Sequence, residues 1–142
     1  MLSDEIHYSD ERYTACPVIR YIPEDDYYYM ICLEELPLRR FESYIYRTKD
    51  FITWEIGYHN PIFWTSPEDR NVMDGVSLPP DVIKEIETQL NINNSDVDLC
   101  EFEGKTYIVY CTGDQMSMGG YVCMAVYDGL MKEFFENFFN VL

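Results

Sequence analysis

Apolar and aromatic residues in this chain recur in short runs of alternating character, each closed by a few polar or turn-forming residues. A period of two belongs to strands, whose successive side chains point to opposite faces of a sheet, so this rhythm calls for a sheet-dominated fold. Val18-Ile19-Arg20-Tyr21-Ile22, the turn Pro23-Glu24-Asp25-Asp26 and the run 27–33 predict a first hairpin. Leu36-Pro37-Leu38-Arg39-Arg40 interrupts it, and residues 41–47 predict a third strand ending at Thr48-Lys49-Asp50. Residues 51–58 then place Ile52, Trp54, Ile56 and Tyr58 on one face, which predicts a further half-buried strand. Residues 97–102 and 105–111, joined at Glu103-Gly104, read as a tight hairpin, and 121–127 as another strand.

Two segments change to a helical period. Leu78-Pro79-Pro80-Asp81 is a helix start, because proline at the first helical position gives up no needed donor and Asp81 suits the positive end of the helix dipole. Val82, Ile83, Ile86 and Leu90 follow on one face, and 91–95 reads as the polar loop that ends the helix. At the other end of the chain, Asp128 is positioned as a cap for a helix with the stripe Leu130, Met131, Phe134, Phe135, Phe138, Phe139 and Leu142. The expected class is α+β: an antiparallel sheet of about five to seven strands, a helix near 80–90, and a C-terminal helix packed on one sheet face. Pro and Gly fall singly between these segments, so residues 1–142 read as a single domain, with 1–14 a loose N-terminal arm. The stripe is wide enough that a homodimer through the C-terminal helix is the alternative to burial by the sheet.

Charge narrows the function. The chain carries 26 acidic and 10 basic residues, a net charge of −16, and residues 72–142 hold only Lys84, Lys105 and Lys132 as cations. Phosphate backbones are bound by Lys and Arg, so direct nucleic-acid binding is not expected, whereas a basic protein partner is. No apolar run approaches a membrane-spanning length and the first residues lack a secretion signal, so a cytoplasmic location and no membrane partner are expected. Cys16, Cys32, Cys100, Cys111 and Cys123 are odd in number and scattered, which reads as reduced, mostly buried thiols. In that setting the sequon Asn93-Asn94-Ser95 is a polar loop rather than a glycosylation site.

Chemistry-bearing patterns are weak. His7 and His59 stand far apart with no ligand spacing around either, and Asn91, Asn93, Ser95 and Asp96 open like a calcium loop but meet Val97 and Phe102 where Gly and Glu belong. The one nucleophilic triad that can be assembled, Cys111 with His59 and Asp114, has nothing in the sequence to bring it together. Gly113 to Gly120 lacks the basic residue of a phosphate loop. Neither catalytic residues nor a metal or cofactor are expected. The suggestive cluster is Glu24, Asp25 and Asp26 beside Tyr27, Tyr28 and Tyr29, with Glu101 and Glu103 at the later hairpin. Tyrosines offer rigid contact area and carboxylates pair with Arg and Lys across an interface, the make-up of an inhibitor or immunity-like binder of a basic enzyme such as a nuclease. Small acidic inhibitors, including phage anti-defence and toxin-immunity proteins, share this size, charge sign and aromatic richness as a class. The alternative is a small enzyme or ligand-binding protein with a pocket near His59, Trp64 and the 113–120 loop.

Overall fold

The computed structural model describes residues 14–36, 40–114 and 119–141. They form seven strands and two α-helices: β1 (Thr14–Ile22), β2 (Tyr27–Leu36), β3 (Arg40–Thr48), β4 (Glu55–Ile56), α1 (Pro80–Thr88), β5 (Asn93–Phe102), β6 (Lys105–Asp114), β7 (Gly119–Tyr127) and α2 (Met131–Glu136). The fold is α+β, with the strands in one sheet of order β1-β2-β3-β5-β6-β7 and β4 beside β3. Every pairing is antiparallel except β3 with β5, which meet in parallel at a single pair, Phe41 and Asn93. Residues 1–13 of the expected loose arm, 115–118 of the expected 113–120 loop and Leu142 lie outside the described residues, while Thr14 belongs to β1 and Gly113–Asp114 pair with Gly119–Gly120 as strand.

Local chemistry explains the turns. Asp26 takes a left-handed conformation (φ 58°) that Asp tolerates, and its N–H donates to the Ile22 carbonyl to close β1 onto β2. Glu103 and Gly104 both have positive φ, the backbone of a two-residue hairpin whose twist matches its strands. Bulges at Cys16 and Asp96, both left-handed, interrupt β1 and β5, and the Asp96 carboxylate lies within electrostatic reach of the Cys16 thiol. Farther along, Arg20 of β1 ion-pairs with Asp98 of β5 and donates to the Leu99 carbonyl. Since β2 and β3 lie between β1 and β5 in the ladder, these contacts mean that the sheet curls back on itself.

Inside the curl, Ile22, Tyr29, Ile31, Ile45, Val97, Leu99 and Ile108 meet Met131, Phe134, Phe135 and Phe139. On the opposite face of β2 and β3, Met30, Cys32 and Tyr46 are also buried, packed with Tyr44 and Trp54. Strands buried on both faces do not show the clean inward-apolar, outward-polar alternation of a one-sided sheet.

Of the five cysteines expected to be mostly buried only Cys32 is, with Cys16 and Cys100 exposed and Cys111 and Cys123 half-buried, and four further local expectations are corrected. The strand over 51–58 shrinks to Glu55–Ile56, because the Asp50 carboxylate takes the N–H groups of Ile52 and Thr53 (2.8 and 2.7 Å) in a local turn that competes with a ladder. The polar loop at 91–95 is strand from Asn93 onward, and Asn93, Asn94 and Ser95 are buried: the Asn94 amide donates to the Trp64 carbonyl, its main-chain carbonyl accepts the Ser43 hydroxyl and the Asn93 amide donates to Ser95, while the side-chain oxygens of Asn93 and Asn94 meet no partner among the described residues. On α1 only Ile86 is buried, leaving Leu90 at 62% exposure. The terminal helix is a short one capped at Leu130, whose N–H donates to Glu133; Asp128 instead pairs with Lys105. Phe138 and Phe139 lie past its end, yet the sheet still covers Met131, Phe134, Phe135 and Phe139. The rings considered for a dimer face are thus mostly spent within the chain.

Candidate functional site

The β1–β2 turn, the end of β3 and the β5–β6 turn lie at one end of the sheet, because β1, β3 and β5 run in the same direction. There α2 sits between the two acidic clusters. Glu101 accepts the Met131 N–H at its start (2.9 Å), and Lys132, paired with Glu136, lies within electrostatic reach of Asp25 and Glu24.

The three consecutive tyrosines meet three different fates. Tyr29 is 1% exposed, stacked on Phe135 at 4.7 Å, and its hydroxyl donates to Asp25 (2.5 Å). Burial first, then that carboxylate, pushes its phenol well above the ordinary range. A ring so enclosed cannot meet a partner. Tyr27 carries the Arg47 guanidinium at 4.4 Å and the Lys49 ammonium at 4.5 Å from its ring centre, while Arg47 also packs on Phe139 and pairs with Glu55. Tyr28 points the other way and joins an aromatic row: Tyr21 lies 4.7 Å on one side, Phe51 4.4 Å on the other, and Trp54 6.0 Å beyond Phe51. Tyr21 and Phe51 are each nearly half exposed, and Ile52 beside them is 63% exposed.

The carboxylates divide likewise. Asp25 is half-buried and occupied by the Tyr29 hydroxyl and the Tyr27 N–H, so it holds the turn. Asp26 is exposed and accepts the Tyr21 hydroxyl at 3.0 Å, fixing one ring of the row. Glu24 and Glu103 are exposed, and Glu101, though exposed, caps α2. Asp50 is held below its ordinary carboxylate range by the N–H groups of Thr53 and Ile52 and adds a fixed negative charge beside Phe51. The surface that remains available therefore comprises Glu24, Asp26, Tyr28, Asp50 and Glu103, with Tyr21 and Phe51. Pattern reading missed the last two because they reach Tyr28 from another strand and from a loop. The positive φ of Phe51 (59°), which turns its ring toward Tyr28, has no local sequence signal.

His59 and Trp64 make separate contacts, and neither lines the groove described below. The His59 ring nitrogen is 3.0 Å from the Asn140 carbonyl and the His59 backbone N–H donates to the Phe138 carbonyl, so His59 ties down the C-terminal segment, while Trp64 is 59% exposed. The Cys111 thiol is pushed up by burial and by Asp96, the opposite direction from nucleophile activation. Among the described residues no group of three His, Cys, Asp or Glu side chains is arranged to hold a metal ion. None of their helices is long and apolar enough to cross a membrane.

A groove does exist elsewhere, about 720 Å³, between residues 68–78, α1 and the β6–β7 edge. Beside it the Asp69 carboxylate, 7% exposed, gathers the Tyr110 hydroxyl (2.9 Å), the Asn91 amide (2.7 Å) and the Ser66 N–H (2.9 Å), pinning the 66–70 turn to β6. No protein-family model matches the chain, and no curated protein matches its sequence at a significant level.

Proposed function

We propose that this chain is a non-enzymatic, cytoplasmic binding protein that neutralises a basic partner, such as a nuclease or other nucleic-acid-processing defence enzyme, in the manner of immunity and phage anti-defence proteins. The reading is carried by the aromatic row of exposed Tyr21 and Phe51 about half-buried Tyr28, set among Glu24, Asp26 and Asp50 at the hairpin end. Rigid aromatic rings supply contact area at low entropic cost, and a ring of carboxylates steers and registers a positive groove. The net charge of −16 extends that steering beyond the contact patch. Five free thiols agree with a reducing compartment, and the excess of 26 acidic over 10 basic residues agrees with a protein rather than a nucleic-acid partner.

The test begins with affinity capture and mass spectrometry to obtain a partner, followed by direct titration of the purified pair. Affinity is expected to fall at least tenfold between ~0.05 and ~0.5 M salt, where the Debye length shrinks from ~14 to ~4 Å. Tyr28→Ala and Asp26→Lys are each expected to weaken binding by tenfold or more while the fold, read by circular dichroism, persists. Affinity indifferent to salt and to both substitutions removes the hairpin end as the docking surface.

A further inference from the structure

The far side of the sheet carries a second surface. Only β6 pairs with β7, so among the described residues the outer edge of β7 faces no strand, and none of its backbone groups joins the turn and loop hydrogen bonds. Such an edge is normally blunted by Lys, Pro or a bulge, because its free N–H and C=O groups template pairing with another chain. The sequence of β7, GGYVCMAVY, contains neither charge nor proline, and its register to β6 is unbroken over nine pairs.

The groove of about 720 Å³ runs along this edge. It is touched by residues 121, 122, 123 and 124 in succession, and since neighbours on a strand point to opposite faces, a cleft that meets four in a row lies against the edge itself. Its lining is apolar and uncovered: Val122 is 75% exposed, Met124 48%, and Met73 on the opposite wall 60%. Its rim is acidic, with Glu68 and Asp69 in the lining and Glu85 within electrostatic reach of the Tyr121 hydroxyl. The lining holds no Lys or Arg; of the cations nearby in the sequence, Arg70 is held by the Gln89 carbonyl, and Lys84 falls among Asp81, Glu85 and Glu87 along the chain.

We propose that the β7 edge takes up an extended segment of a partner protein, alternating apolar with Lys or Arg residues, as an added strand. Main-chain hydrogen bonds satisfy the open edge, apolar side chains fill the groove over Val122 and Met73, and the cations meet the Glu68 and Glu85 rim. A second copy of this chain is the poorer occupant, since pairing β7 with itself brings together two acidic rims on chains of net charge −16. The groove meets β6 and β7 midway along their length, and none of Tyr21, Glu24, Asp26, Tyr28, Asp50, Phe51 or Glu103 lines it, so the inference is independent of the hairpin end.

The full chain, labelled with ¹⁵N, is titrated with a nine-residue peptide of alternating Val and Lys, its Val/Glu counterpart, and a version N-methylated on alternate amides. Saturable binding of the Val/Lys peptide is expected, with amide shifts concentrated at residues 72–76 and 120–126. Affinity should drop by roughly tenfold or more on N-methylation, which deletes several main-chain hydrogen bonds. Val122→Lys, at a solvent-facing position, should weaken it similarly without lowering the melting temperature. The inference is overturned by failure of the Val/Lys peptide to saturate, by equal binding of the N-methylated or Val/Glu peptide, or by shifts centred on residues 21–28. A salt-stable dimer in sedimentation that Val122→Lys dissolves would also overturn it, by assigning the edge to a second copy.

Discussion

Replacing Phe135 by Ala removes the ring on which the curled sheet closes. Phe135 is 1% exposed, stacks on Tyr29 at 4.7 Å with an interplanar angle of 22°, and lies 5.8 Å from Phe134. Its truncation gives up the burial of a whole aromatic side chain and leaves a cavity that Tyr29 cannot readily refill, because the Tyr29 hydroxyl is anchored to Asp25. Such substitutions cost about 3–5 kcal/mol, a large share of the 5–15 kcal/mol that holds a typical domain. Phe138→Ala is the internal control: this ring is half-buried and meets Phe134 edge-on at 5.3 Å, so about 1–2 kcal/mol is expected. Urea unfolding followed by circular dichroism, with sedimentation of both variants, reads the two costs and the association state. A Phe135→Ala loss below about 1 kcal/mol refutes the packing argument. So does an unchanged melt accompanied by lost self-association, which would place the ring in an interface.

Three further outcomes follow from particular contacts. Asp69→Ala strands the Tyr110 hydroxyl, the Asn91 amide and the Ser66 N–H, and should cost about 1–3 kcal/mol in denaturant unfolding, with Asp69→Asn recovering part of it. Gly57→Ala would set a Cβ 2.9 Å from the Ile45 Cγ2 and 3.3 Å from its carbonyl, so a loss of about 1–3 kcal/mol is expected, and a neutral result would mean that β3 and the 57–60 turn are not packed as described. Burial, followed by Asp69 and Cys111, raises the Cys123 thiol from 9.0 to about 11, which makes the folded state the tighter proton binder. Its contribution is therefore intact below pH 9 and lost as pH rises toward 11; denaturation midpoints in Cys123→Ser should show less alkaline loss than the parent, and the reverse order refutes the assignment.

The site was legible in part. Acid beside tyrosine at 24–29 marks the hairpin end, because a Pro-Glu-Asp-Asp turn between two alternating runs has few other readings. Which tyrosine stays outside was not legible. Tyr27 and Tyr29 share a face by period, but only the seating of Phe135 and Phe139 over Tyr29, and of Arg47 over Tyr27, decides that this face closes. Tyr28 becomes part of a surface only because Tyr21 and Phe51 reach it from elsewhere in the chain.

Strand and turn positions could be read from the sequence alone because they rest on interactions within a few residues: side-chain alternation, the left-handed tolerance of Asp26 and Gly104, and proline at the start of α1. Residues 51–58 escaped that reading because the Asp50 carboxylate offers their N–H groups nearer partners than a neighbouring strand. Asn94 escaped it because its amide and main-chain carbonyl find partners only in Trp64 and Ser43, thirty or more residues away, which no local pattern signals. Alternation states that two faces exist; the curl that brings Arg20 to Asp98, and the short helix packed within it, settle which is covered, since burial depends on segments some eighty residues apart that local patterns do not encode.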